Sequence, residues 1–439
     1  MKKPRPVRED SCEINSLNHD GAGVGRCDGK VVFVAGALPG EEVRFSYGAR
    51  KRHYDTGIAQ DILRASPERV IPECPHFGVC GGCRLQHLDP KAQLRAKEGV
   101  VREAMAHIGK VAIEAFAEPL AGPIWHYRRK ARLGVRVVPK KGGVLVGFRE
   151  RQHTFIAPLT ICHTLERRIG DRLVDLKGLL EELSCPMHIP QIEFAGGDAE
   201  AALVIRHLVP LTDSDLERLA DFGKTWGFSM YSQSAGPESL CPIGLESPPT
   251  LRYQLPAFDV ELAFGPLDFV QINAETNRVM VNQALEWLDV DADTRVVDLF
   301  CGLGNFTLPL GRRSHHVTGI EGVPALIDRA RGNAAANGLA HIAWHIADLD
   351  GATLADLLPG RIDAALLDPP RTGALAAISF LGERCVPRLV YVSCNPATLA
   401  RAAAVLVHQY GYRLARLGVV DMFPHTHHVE AMALFLKDS

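Results

Sequence analysis

The chain has 439 residues, 46% of them hydrophobic and 23% charged, with a formal net charge of −2. That composition describes a soluble globular protein, and the length exceeds one ordinary hydrophobic core, so two or three domains are expected. There is no apolar run of the roughly 18 residues that a membrane span needs, and no apolar signal segment follows the basic amino end MKKPRPVRED.

Residues 1–66 read as small and all-β. Short alternating runs at 30–34, 42–47 and 54–62 are separated by the glycine-rich HDGAGVGR and by ALPGEE. Several short strands with Gly and Pro turns suggest a small OB-like barrel, a fold that often binds single-stranded RNA. Next comes CPHFGVCGGCRLQHL, in which Cys74, Cys80 and Cys83 are spaced by five and then two residues around the pair Gly81–Gly82. With eleven scattered cysteines and no secretion signal, the chain is expected in a reducing cytoplasm. There a cysteine cluster means metal or catalysis more often than disulfides. A fourth ligand must come from afar, and Cys162 in PLTICHTL is the best candidate; spacing alone leaves zinc and an iron–sulfur cube both open.

A helical stretch at about 90–108 leads into a mixed α+β region that runs to about 256. Within it, residues 125–151 carry nine Lys or Arg against the single acid Glu150. The alternation in ARLGVRVV and GVLVGFRE predicts a hairpin or meander with basic side chains on one face. That face is either merely solvated or a surface for phosphates, since clustered cations gain affinity by releasing counterions from nucleic acid.

From Thr294 onward apolar strands alternate with helices. RVVDLF, HVTGIE, IAWHIAD, IDAALLD and RLVYVSC each end in a polar residue: Asp298, Glu321, Asp348, Asp368 and Cys394. This pattern predicts a parallel sheet covered on both faces, with ligands at the carboxyl ends of its strands. In DLFCGLGNFTLPL, Gly302 and Gly304 allow close backbone approach, but Thr307 stands where a dinucleotide fingerprint wants a third glycine. Glu321 can accept both hydroxyls of a ribose, and Asp348 lies where an adenine amino group would sit. That set suits S-adenosylmethionine better than NAD.

The stretch LVYVSCNPATLAR places Cys394 just ahead of Asn395, a good N-cap, and Pro396, suited to a first helical position. The positive helix end is expected to lower the thiol pKa. Carbon 5 of a pyrimidine is too weak a nucleophile to attack a methyl sulfonium directly, and thiolate addition at carbon 6 turns it into an enolate. A base must later remove the carbon 5 proton, and Glu430 in FPHTHHVEAMALFLK is the candidate. His425, His427 and His428 lack Cys or carboxylate companions at ligand spacing, which argues against a metal there.

With these residues assembled, the chain resembles the RNA uracil-5-methyltransferase family throughout its length. The motifs that carry the resemblance are FVQINAETN (269–277), DLFCGLGNFTLPL, LLDPPRTG, YVSCNPATLARA and DMFPHTHHVE. It implies a doubly wound class I S-adenosylmethionine-dependent methyltransferase domain, an amino-terminal TRAM barrel and a central α+β iron–sulfur domain. The implied boundaries are 1–66, 67–256 and 257–439, with the segment near 90–120 packing on the catalytic domain. It also implies Cys394 as nucleophile, Glu430 as base, and cofactor contacts from Gln271, Phe300, Asn305, Glu321, Asp348 and Asp368. A 4Fe–4S cluster on Cys74, Cys80, Cys83 and Cys162 follows from the same resemblance. Transfer-RNA members are expected to lack both cluster and barrel. Having both is similar to the branch that methylates a uridine of 23S ribosomal RNA, at the site numbered 1939; another ribosomal uridine or a transfer RNA is the alternative substrate. A monomer with no membrane partner is expected.

Overall fold

The computed structural model describes residues 9–151, 153–349 and 354–438, so the basic octapeptide at 1–8 lies outside the described residues. The chain forms two compact units. The first comprises residues 1–100, 149–157 and 423–428, and the second comprises 101–148, 158–422 and 429–439.

In the first unit five strands, Glu9–Leu17, Gly23–Cys27, Lys30–Ala35, Glu42–Arg50 and Tyr54–Arg64, close into a barrel. Its core is the inward-facing alternate set Cys12, Ile14, Val32, Val34, Val43 and Phe45, as the period of two along a strand requires. Closure removes the exposed sheet edges of so small a β domain. The buried Glu41 fixes the exit from the barrel, accepting Leu38 N–H at 2.8 Å and the Arg69 guanidinium at 2.5 Å. The cysteine-rich segment and the start of the helix Pro90–Ala104 follow.

The second unit holds two large sheets. The six-stranded one contains the basic hairpin, Lys130–Val138 paired antiparallel with Gly143–Gly147. Its alternation is as the sequence reads: Ala131, Leu133 and Val135 are buried, while Arg132 and Arg136 are exposed. Two basic residues depart from that face. Arg129 is 4% exposed and paired with Asp198, and Lys130 turns inward to the carbonyls of Pro266 and Asp268. Each finds buried acceptors that outweigh hydration, so the basic face is narrower than the count of charges suggests.

The eight-stranded sheet has the spatial order Ala343–Ile346, His316–Glu321, Arg295–Leu299, Ala364–Leu367, Arg388–Ser393, Glu430–Leu436, Arg413–Val420, Ile113–Phe116. The first five strands are parallel, and Glu430–Leu436 inserts antiparallel beside Arg388–Ser393. The last strand comes from far upstream in the chain and pairs parallel with Arg413–Val420. Gly109 packs against Ala400 so closely that a side chain there would meet its carbonyl at 3.0 Å.

Candidate active site

The five strand ends that looked chemical in the sequence come together because parallel strands of one sheet end on one edge. At the first of them, Asp298 is fully buried and accepts the Thr307 hydroxyl at 2.5 Å through Oδ2. Its Oδ1 has no partner among the described residues. Burial pushes this carboxyl up to about 8, with Thr307 opposing and the charges of Asp368 and Glu321 adding to the rise. Thr307, the residue that breaks the dinucleotide pattern, is thus the hydrogen-bond partner of the strand-end acid.

The turn that follows bends back sharply. Phe300 has φ +64°, Gly302 +56° and Gly304 +100°. A left-handed Phe costs on the order of 1–3 kcal/mol and persists where the surroundings impose it, commonly at ligand sites. Glu321 ties this turn to the next strand: its Oε2 accepts Gly302 N–H at 3.2 Å and its Oε1 accepts Val323 N–H at 3.0 Å. Each oxygen keeps a lone pair for a ribose hydroxyl. Asp348 lies exposed beyond the third strand.

Asn305 is held more tightly than its motif suggests. Its Oδ1 accepts both Tyr253 OH and Asn277 Nδ2 at 2.9 Å, and its Nδ2 donates to Asn277 Oδ1 at 2.9 Å. One Nδ2 hydrogen remains to offer. Sequence reasoning missed Tyr253 and Asn277 as positioning residues. Asn277 closes the FVQINAETN motif, but only the fold shows that it reaches the glycine turn.

The reactive end of the sheet is set by register. Ser393 faces Ala431 in the antiparallel pair, so Cys394 and Glu430 are the next residues outward at that edge, and the Glu430 carboxylate acts on the thiol. Asn395 caps the helix Pro396–Ala404 as expected, accepting the N–H groups of Ala397 and Thr398 at 3.1 and 3.4 Å. Its Nδ2 donates to the Arg371 carbonyl at 3.2 Å, which joins the cap to the DPPRTG turn. Gln271 Nε2 donates to Asp368 Oδ2 at 3.3 Å.

The electrostatics correct one expectation. The Cys394 thiol pKa is raised, not lowered: burial and the Glu430 carboxylate push it up, the Arg371 charge and its hydrogen bond pull it down, and Asp368 adds to the rise. The helix terminus that was to favour thiolate is already satisfied by Asn395. Glu430, 4% exposed, is raised well above the ordinary carboxylate range by burial and then by Asp368, with Arg371 opposing. Asp368 is raised to about 6 by burial, with Gln271 opposing. Arg371 is therefore the cation on which ionisation of this pocket depends. Arg371→Gln should move the pH profile of Cys394 alkylation by iodoacetamide to higher pH. An unmoved profile would show that the guanidinium does not act on the thiol.

The four cysteines expected as ligands are divided between the units. Cys74, Cys80 and Cys83 belong to the first, and Cys162, 8% exposed, to the second. In the first unit Gly82 N–H donates to Cys80 Sγ at 3.4 Å, the kind of bond that stabilises thiolate. A side chain on Gly81 would meet the Arg149 carbonyl at 2.9 Å. His87 is 2% exposed, its ring 5.3 Å from that of Phe77, and neither ring nitrogen has a partner among the described residues. Each buried orphan costs about 1–3 kcal/mol if it stays unpaired. The first unit therefore supplies three cysteines on one glycine-containing loop, one of whose sulfurs already accepts a backbone amide. His425 is not part of such a set; it is buried and bonded through its ring to Gln93, and its carbonyl accepts Arg84 and Leu85 N–H at 2.9 Å each.

A strand order with one antiparallel insertion, a glycine turn tied to a ribose-ready carboxylate and a thiol beside a carboxyl define a class I methyltransferase. The family model described as tRNA (Uracil-5-)-methyltransferase matches residues 259–438, and the TRAM domain model matches 12–44. A protein of Alkalilimnicola ehrlichii named 23S rRNA (uracil(1939)-C(5))-methyltransferase RlmD is 49% identical over 97% of this chain and 96% of its own length. One of Methylococcus capsulatus with the same name is 48% identical over 99% and 98%. The chain belongs to the RNA uracil-5-methyltransferase family, in its TRAM-containing form. The Pyrococcus abyssi tRNA (uracil-54, C5)-methyltransferase structure shares the fold, with a TM-score of 0.74 at 24% identity over 97% of this chain and 100% of that one. This corrects the expectation that transfer-RNA enzymes lack the amino-terminal part, because an alignment of that extent reaches into the barrel. Architecture alone therefore does not separate the substrates.

Proposed function

We propose that this chain transfers the methyl group of S-adenosylmethionine to carbon 5 of a uridine in 23S ribosomal RNA, at the position numbered 1939, by covalent addition of Cys394 to carbon 6. The observation that carries the chemistry is the register that sets Cys394 and Glu430 together at the carboxyl edge of a methyltransferase sheet. Relatives at nearly half identity over almost the whole chain support the ribosomal substrate.

S-adenosylmethionine supplies an electrophilic methyl on a sulfonium. Gln271, Phe300, Asn305, Glu321, Asp348 and Asp368 would hold it, Glu321 by accepting the ribose hydroxyls and the 300–305 turn by close backbone approach. Cys394, ionised with help from Arg371, adds to carbon 6 of the uracil, and the electron pair of the 5,6 double bond moves into the enolate. The enolate carbon 5 would take the methyl group as its bond to sulfur breaks, the electron pair staying on sulfur so that S-adenosylhomocysteine leaves. Glu430, as carboxylate, then removes the carbon 5 proton; the 5,6 double bond re-forms and the Cys394 thiolate is expelled. A carboxylate of raised pKa is a stronger base than an exposed one, which suits removal of a proton from carbon.

The functional division follows as an RNA-binding barrel (1–66), a central domain with the basic hairpin (67–256) and a catalytic domain (257–439). Cys74, Cys80, Cys83 and Cys162 would hold a 4Fe–4S cluster with a structural or RNA-positioning role, since methyl transfer needs no electron. No helix among the described residues is long and apolar enough to cross a membrane, and a cytoplasmic monomer is the working state. The test of substrate is direct. Tritiated S-adenosylmethionine with unmodified 23S RNA should label one uridine at carbon 5. Label in transfer RNA only, or at another ribosomal uridine, would overturn the assignment.

A further inference from the structure

Arg151 was one of nine cations read as a nucleic-acid surface, and its surroundings do not fit that role. Residues 149–151 clamp the cysteine-rich loop on the residues that flank its thiols. Gly81 N–H donates to the Arg149 carbonyl at 2.8 Å, and Arg151 N–H donates to the Val79 carbonyl at 2.9 Å. Cys80 bridges Glu150, so the residues on either side of Cys80 and Cys80 itself are all held by this one tripeptide. The Arg151 side chain continues inward. Its Nη2 donates to the carbonyl of Arg84, the residue after Cys83, at 3.1 Å, and its guanidinium lies 5.6 Å from the Phe77 ring centroid.

The charge balance there is unusual. No carboxylate pairs with Arg151 among the described residues; its neighbouring cation Arg84, whose Nε is buried without a partner, has the Asp20 carboxylate 3.9 Å from its Nη1. Burial, and then Arg84, pull the Arg151 pKa down; the one opposing influence is Cys83. A desolvated guanidinium next to a second cation is costly unless an anion lies with it. The anion-forming group that acts on Arg151 is Cys83, in the loop that Arg151 holds. Four thiolates on a 4Fe–4S core in its ordinary oxidised state leave about two net negative charges to be balanced.

We propose that Arg151 is the counter-charge of the cluster: it holds the cysteine loop by its hydrogen bonds and offsets the net negative charge of the thiolate-bound cluster by its own charge. The inference rests on the cluster reading given above, and the experiment separates the two. The full chain is purified anaerobically as wild type, Arg151→Met and Arg151→Lys. Iron and acid-labile sulfide are assayed, and the reduction midpoint is followed by electron paramagnetic resonance.

Removing a nearby positive charge makes reduction harder. Arg151→Met should therefore lower the midpoint so that the reduced-to-oxidised ratio at a fixed ambient potential falls about tenfold, or about 59 mV for one electron. Arg151→Lys keeps the charge without the fork and should stay near wild type in potential while losing iron faster in air. If Arg151→Met loses its cluster outright, the charge role stands only if Arg151→Lys retains it at near wild-type potential. Equal loss in both variants would make the residue a hydrogen-bonding clamp and overturn the proposal. So would an unchanged midpoint in Arg151→Met; should that variant also bind 23S RNA more weakly, the guanidinium belongs to an RNA phosphate. A wild-type chain without iron or sulfide would remove the cluster reading and this inference together, whereas intact wild-type cluster with unmoved variants would remove only the inference.

Discussion

Glu430→Gln, incubated with 23S RNA and S-adenosylmethionine, is expected to accumulate a covalent protein–RNA complex that migrates slowly on a denaturing gel. Cys394→Ala is expected to form none. The reason lies in the order of events. If Cys394 adds to carbon 6 first, its loss leaves carbon 5 too weak a nucleophile, and both methylation and adduct disappear. Glu430 acts only after the methyl has arrived, so its amide variant should still add and still methylate. It then stalls, because the carbon 5 proton cannot leave and the thiol cannot be eliminated. Turnover should fall by about 10²–10⁴, the usual contribution of a positioned base. The isosteric amide also keeps the strand pair of Ser393 with Ala431 intact, so a folding defect is not expected. Normal turnover by Glu430→Gln would pass the base role to another group, for which Asp368, whose charge acts on Glu430, is the candidate. Methylation by Cys394→Ala would end the covalent mechanism.

The protein purified without air should be brown and carry about four irons and four sulfides per chain. Cys80→Ser, Cys83→Ser and Cys162→Ser should each lose most of that iron, while Cys241→Ser, at an exposed free cysteine, should keep it. Because metal binding is coupled to folding, loss of the cluster should lower thermal stability as well as colour. For domains of 150–250 residues each kcal/mol lost lowers Tm by about 2–4 °C, so a drop of several degrees is readable by calorimetry. Stoichiometric zinc and no iron would reject the cluster and leave a tetrahedral thiolate site in its place.

The sequence by itself determined the parts whose signal is local. Alternating apolar runs with Gly and Pro turns defined the barrel strands, and near-continuous apolar runs ending in acids defined the parallel sheet and its ligand edge. Cys394, Asn395 and Pro396 announced a thiol at a capped helix start, and the cap is made as those residue types require. Gly302 and Gly304 marked the cofactor turn because only a residue without Cβ adopts their backbone easily.

What the tertiary structure decided are the relations between residues distant in the chain. The placing of Cys394 and Glu430 at one edge depends on the register of an antiparallel strand that begins 36 residues later, which no local pattern fixes. The hold of Tyr253 and Asn277 on Asn305 joins three separate segments. The thiol pKa moved opposite to the helix-end expectation because burial and two carboxyls, brought in by neighbouring strands, outweigh a terminus that Asn395 already caps. Arg129, Lys130 and Arg151 were indistinguishable in sequence from the exposed Arg132 and Arg136. A charge count records how many cations a segment carries, and only the packed structure decides which of them keep their water.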